Sequence, residues 1–150
     1  MFLYEKRLWP LYTMTGKKRI LIVDDEPDIA LTFKKILEEN GFEKLVDTYN
    51  EPLLALQDFK AGRYGLLIID IGMPIIDGFT LYQQLKQIDN KPKVLFATAF
   101  YLHYDALRRY FPIKDENNEI EEILGNTGGR FIRKPVDFET LIRRVRSELN

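Results

Sequence analysis

Asp24, Asp25, Asp70, Thr98 and Lys134 are the residues of this chain whose types and placement could do chemistry. Each stands where an expected strand stops: the apolar runs 19–23, 66–69 and 94–97, and the short segment 130–133. Three carboxylates brought into one crevice repel one another. At an effective dielectric of about 20, each close pair costs up to about 4 kcal/mol. Lys134 supplies one compensating charge, and a divalent cation would supply two more, which balances three aspartates. The ligands are all oxygen and the chain has a single histidine. A hard ion therefore fits best, Mg²⁺ first and Mn²⁺ second. Such a site could accept a phosphoryl group, with metal and lysine neutralising the transferring oxygens and a carboxylate attacking. Asp24 and Asp25 are adjacent and look like metal holders. Asp70 stands alone on a neighbouring strand, facing Thr98 and Lys134, and is taken as the nucleophile. The Thr98 hydroxyl can donate to a phosphoryl oxygen, and small Ala99 leaves access to it.

The elements that would position these residues follow from periodicity. The continuous apolar runs read as strands buried on both faces. A helix is expected over 28–40, with Ile29, Phe33, Ile36 and Leu37 on one face and Gly41 as its stop. A second strand is expected over 44–49. Asn50 is expected to cap the next helix, with Pro52 in its first turn and Leu53, Leu56 and Phe59 facing inward. A loop over 71–78 precedes a helix with Leu81, Leu85 and Ile88 on one stripe. The last helix starts at a cap on Asp137, with Phe138, Leu141, Ile142, Val145 and Leu149 apolar. Strands alternating with helices imply a parallel sheet covered on both faces. In such α/β sheets the site lies at the carboxyl ends of the strands.

Composition narrows the function. At 150 residues the chain is the size of one domain. It has no cysteine, which excludes a disulfide scaffold, a thiol nucleophile and thiolate-bound metal. Twenty-two basic residues against 23 acidic give a net charge of −1, so nucleic acid is not an expected direct target. No apolar stretch is long enough to span a membrane. Residues 1–16 are aromatic, with Phe2, Tyr4, Trp9 and Tyr12, but broken by Glu5-Lys6-Arg7 and Pro10. They do not read as a signal peptide. They read as an N-terminal extension that either packs on the domain or docks a partner through Trp9 and Tyr12.

Asp24-Asp25-Glu26, Asp70 with Met73-Pro74 and Asp77-Gly78, Thr98-Ala99, and Phe131 three residues before Lys134-Pro135 occur in that order. Together they resemble the receiver domain of two-component response regulators, over residues 17–150. The resemblance implies a flavodoxin-like α/β fold, a doubly wound (βα)5 parallel sheet with strand order 2-1-3-4-5. It implies that Asp70 takes a phosphoryl group from a histidine kinase, a phosphotransfer protein or a small phosphodonor. Asp25, Asp70 and the Gly72 backbone carbonyl would hold Mg²⁺, with Asp24 acting through water. Lys134 would pair with the phosphate. Thr98 and Phe131 would form the switch, the hydroxyl moving toward the phosphate and the ring turning inward.

The sequence departs from this pattern in one place. A helix and two loops between the fourth and fifth strands need roughly 15–24 residues. The stretch 99–129 is longer by on the order of ten residues. The excess is placed at 112–129, after a helix over about 102–110, and its segment 114–122 is acidic. It is either a solvated loop with a short extra helix or a modified partner surface. Gly72 and Phe100 flank the site, two residues after Asp70 and Thr98.

The expected function is a cytoplasmic phosphoacceptor switch rather than an enzyme, at most phosphorylating and dephosphorylating itself at Asp70. The chain ends directly after the last helix, so its output is expected to be a protein contact in trans; a homodimer is left open. The alternative is a phosphorylation-independent binding module on the same scaffold, against which the complete residue set argues. A flavin carrier of the same fold would need a phosphate cradle where Asp24-Asp25-Glu26-Pro27 stands. An aspartyl phosphatase would want a second acid where Gly72 stands.

Overall fold

The computed structural model describes residues 18–98 and 130–150. The expected extension at 1–16, and Ala99, Phe100, the helix over 102–110 and the insertion at 112–129, lie outside the described residues. The order is β1 (Arg19–Val23), α1 (Pro27–Glu39), β2 (Val46–Tyr49), α2 (Pro52–Asp58), β3 (Tyr64–Asp70), α3 (Gly78–Ile88), β4 (Lys93–Thr98), β5 (Phe131–Arg133) and α4 (Phe138–Leu149). The strands form one sheet in the order β2-β1-β3-β4-β5, and every neighbouring pair is parallel. This is the flavodoxin-like order the sequence implied.

Alternation along the strands divides the core in two. Leu21, Val23, Leu67, Ile69 and Phe96 face one side and pack with Ala55, Phe79, Leu81 and Leu85 of α2 and α3. Ile20, Ile22, Leu66, Ile68 and Leu95 face the other and pack with Phe33, Leu37, Leu141 and Val145 of α1 and α4. The long apolar runs are thus explained: both faces of the sheet are covered.

Several local expectations are corrected. The second strand begins at Val46, not at 44, because Lys44 is left-handed (φ 63°) in a turn closed by Leu45 N–H donating to the Phe42 carbonyl. Asn50 is not the cap of α2. Pro52 opens that helix and forces the residue before it into extended backbone, so Glu51 takes the cap position, without a side-chain hydrogen bond. In this seven-residue helix Pro52 and Ala55 form the buried face, which turns Leu53 out to 51% exposure. Phe59 is buried but lies just past the helix end. Ile88 and Phe138 are exposed although both continue apolar stripes. Each sits in a terminal turn, where a helix runs past the core it covers. The cap at Asp137 is as expected, its carboxylate accepting from the Thr140 N–H at 2.8 Å.

Candidate functional site

The strand ends converge as the topology requires. β1 delivers Asp24, whose N–H donates to the Tyr49 carbonyl of β2. β3 ends on Asp70 itself, in register with Ala97 of β4, and Ile71 N–H donates to the Ala97 carbonyl. β4 ends on Thr98, in register with Arg133 of β5, and the chain then turns at Lys134. The Lys134–Pro135 peptide bond is cis.

Asp24, Asp25 and Asp70 each offer a carboxylate oxygen within 4.8 Å of the other two. Among the described residues this is the cluster that could hold a metal ion. The donor set is three carboxylates with no nitrogen or sulfur, which suits Mg²⁺ or Mn²⁺. Asp24 and Asp70 are 2% and 6% exposed; Asp25 is half-buried. The Lys134 ammonium donates to Asp24 Oδ2 at 2.8 Å and to Asp70 Oδ1 at 3.1 Å. The remaining Asp24 oxygen accepts from the Glu26 backbone N–H at 2.9 Å. Glu26 itself is exposed in the cap position of α1, and it serves Asp24 through its main chain.

The electrostatics are unbalanced without a cation. Burial, then the charge of Asp24, push the Asp70 carboxyl up to about 7, against the opposing pull of Lys134. Burial disfavours the charge on Lys134, but the hydrogen bond to Asp24 and the nearby carboxylates outweigh it and hold the ammonium above its usual range. The arrangement pairs an ammonium held in its charged form with a carboxyl, Asp70, whose ionisation is opposed by burial and by Asp24.

The loop from Ile71 to Asp77 carries Gly72, which is exposed beside the cluster. It leads into a residue the sequence does not mark as functional. Gly78 opens α3, and its N–H donates to the Ile71 carbonyl at 2.9 Å. A Cβ at this position would collide with the Asp70 carbonyl and crowd Ile69. The glycine therefore lets the helix end sit against the backbone of the proposed nucleophile. The Asp77-Gly78 pair at a helix start was the available signal: Asp77 caps α3 by accepting from Thr80 N–H at 2.9 Å. Gly78→Ala should cost about 1–3 kcal/mol in urea unfolding, because the Asp70 carbonyl it would meet is backbone and cannot rotate away.

Ile75, in the same loop, is 86% exposed and left-handed at φ 75°. A β-branched residue pays steric strain there. Ile75→Gly should raise stability by on the order of 1 kcal/mol, seen as a higher urea midpoint at unchanged slope.

Phe131 is 4% exposed, with its ring against Phe96 and Phe79. Thr98 is placed by its backbone at the end of β4, and Ala99 lies outside the described residues.

Residues 20–146 match the response regulator receiver domain family. The chain therefore belongs to the receiver domains of two-component response regulators, signalling modules with a flavodoxin-like fold. It is 32% identical over 131 residues to the transcriptional activator protein IrlR of Burkholderia pseudomallei, covering 87% of this chain and 50% of that one. It is 31% identical over 118 residues to the response regulator receiver protein CpdR of Brucella abortus, covering 71% of this chain and 97% of that one. Among solved structures it is similar to the response regulator TrrA of Thermotoga maritima in complex with Mg²⁺-BeF. That likeness has a TM-score of 0.64 at 31% identity and covers 88% of this chain and 99% of that chain. The chain thus spans about half the length of the transcriptional activator and nearly all of the two receiver proteins. Among the described residues no helix is long and apolar enough to cross a membrane.

Proposed function

We propose that Asp70 is a phosphoacceptor and that its phosphorylation, dependent on Mg²⁺, switches a protein-binding surface. The observation that carries this is the buried Asp70 carboxylate at the end of β3, 3.1 Å from the Lys134 ammonium and clustered with Asp24 and Asp25. An Asp70 carboxylate oxygen attacks phosphorus. The new O–P bond forms as the bond to the donor breaks, and the donor leaves with that electron pair. The donor is a phosphohistidine of a kinase or phosphotransfer protein, or a small acyl phosphate. Lys134 balances charge on the phosphoryl oxygens, and Thr98 and Ala99 are the residues proposed to receive one of them. Mg²⁺ on Asp25, Asp70 and the Gly72 carbonyl, with Asp24 through water, would neutralise the same oxygens.

Thr98 and Phe131 are the residues proposed to report the added charge to the surface. A phosphoryl group brings about −1.5 to −2 charge and three acceptor oxygens, enough to bias a two-state element. The reading makes the chain a cytoplasmic partner of a histidine kinase, acting on a downstream protein in trans. Leu31, Ile75 and Phe138, in segments that follow β1, β3 and β5, are exposed apolar residues available for such contacts.

The test is intact mass after incubation with acetyl phosphate, with and without Mg²⁺, beside Asp70→Asn. One phosphoryl adduct requiring both Mg²⁺ and Asp70 is expected. An adduct that persists in Asp70→Asn would overturn the assignment of the nucleophile. Absence of both adduct and Mg²⁺ binding would favour the phosphorylation-independent binding module.

A further inference from the structure

We propose that the cavity between the carboxyl ends of α1 and α4 is the seat of this chain's own N-terminal segment, with Trp9 and Tyr12 as its anchors. The cavity has a volume of about 410 Å³ and is walled by Lys18, Asn40, Gly41, Phe42, Arg146 and Leu149. That volume is in the range that takes a small organic ligand. The cavity lies at the amino end of the sheet, away from the aspartates: Lys18 directly precedes β1, and residues 40–42 follow α1. Phe42 is buried and Leu149 half-buried. Gly41 is left-handed at φ 105°, and a Cβ there would meet nothing within 4 Å, so that wall is bare backbone beside open space. The two cations are held by main-chain carbonyls. Lys18 Nζ donates to the Gly62 carbonyl at 2.7 Å, and Arg146 donates to the Asn40 carbonyl at 3.2 Å. Their aliphatic stems remain to cover an apolar guest, and an aromatic ring gains further from a guanidinium beside it.

The occupant follows from where the chain enters the domain. A Cβ on Gly65 of β3 would stand 2.7 Å from Lys18 Cβ and 3.2 Å from Leu149 Cδ2, so those two side chains meet over the glycine. The segment before Lys18 is therefore joined to the cavity at its rim. Residues 8–12 read Leu-Trp-Pro-Leu-Tyr, apolar throughout. The stretch from Tyr12 to Lys18 spans up to about 20 Å, and that from Trp9 up to about 30 Å. Both reach the cavity once the chain reverses, and Thr15-Gly16-Lys17 supplies a glycine at the point of reversal. A segment tethered this closely has an effective concentration on the order of millimolar, so a modest fit fills the site. The docked segment ties α1, β1 and α4 together at the end of the domain away from Asp70. It does so whether or not Asp70 is phosphorylated.

Trp9 is the one tryptophan of the chain, so its fluorescence reads the segment directly. In the full chain its emission should lie to the blue of the urea-unfolded protein, and acrylamide should quench it several-fold less. Arg146→Glu and Leu149→Lys, which put an unsuited charge in the cavity wall, should each move the emission toward the unfolded value. Each should raise quenching at least twofold, with the helical circular dichroism unchanged. Leu53→Lys, exposed on α2 across the sheet, should leave both readings as in the wild type. Arg146 is exposed, so its variant still decides the matter if Leu149→Lys does not fold. A wild-type Trp9 as red and as quenched as in urea would overturn the proposal and leave the segment to another partner. So would protection that survives both cavity variants, which puts the segment elsewhere on the domain. Protection lost on dilution would overturn it too, because it puts a second copy's segment in the cavity.

Discussion

Asp70→Asn should make the metal-free protein more stable than the wild type at pH 8, by on the order of 2–4 kcal/mol. The sign follows from the carboxyl's value of about 7 in the folded chain against an ordinary 3.8. Below about pH 4 the group is neutral in both states and carries no penalty. Between about 4 and 7 the unfolded chain releases this proton while the folded chain keeps it, so stability falls as pH rises. Above about 7 the whole cost is present, and it is the cost of a buried charge beside Asp24. Asparagine keeps the shape and removes the charge, leaving Lys134 paired with Asp24. Urea unfolding of both proteins from pH 4 to 8 in a chelator isolates the effect as their difference, which should shrink toward zero at pH 4. Saturating Mg²⁺ should narrow or reverse the gap at pH 8, because it stabilises the ionised wild-type cluster more than the variant. A wild type that gains on the variant as pH rises without metal would mean the Asp70 carboxylate is not under this electrostatic load.

The same unfavourable charge explains why the site could be read from sequence. Aspartates are rarely buried, yet Asp24 and Asp70 directly follow or end apolar runs that had to be strands. A parallel sheet leaves only the carboxyl ends of those strands to hold them, and the structure brings Asp24, Asp25, Asp70 and Lys134 together there. The strand order was legible because the motif order is specific to one topology. What was not legible depends on local backbone geometry. The Glu51 cap depends on a proline restricting its predecessor, and the exposed Leu53 depends on where a seven-residue helix begins, one residue off from the sequence expectation. Gly78 escaped notice as a functional position because its role is steric room for the Asp70 carbonyl, which only the fold supplies. Asp47 also stayed unread: its bidentate pairing with Arg19 at 2.6 and 3.0 Å joins residues far apart in sequence at the other end of the sheet.

Lys134→Met should destabilise the metal-free protein by about 3–5 kcal/mol at neutral pH, the range expected when one member of a buried charge pair is removed. The Lys134 side chain is 13% exposed and donates to both buried carboxylates, so methionine replaces its volume but leaves Asp24 and Asp70 facing each other with no cation. The loss should ease as pH falls through the range in which Asp70 takes a proton. The variant should at the same time bind Mg²⁺ about tenfold more tightly or better, since a competing positive charge has left the cluster. Mass action then predicts partial rescue: a ligand at about 100 times its dissociation constant restores about 2.7 kcal/mol. Two opposite effects of one substitution, weaker folding and stronger metal binding, separate an electrostatic role from simple packing. A packing role would weaken both. Phosphorylation should not recover with the metal, because in the proposed reading Lys134 balances the incoming oxygens. Thermal unfolding across a Mg²⁺ titration, paired with the acetyl phosphate adduct yield at saturating Mg²⁺, measures all three. Unchanged or weaker Mg²⁺ binding in Lys134→Met would show that the lysine and the metal do not share the same three carboxylates.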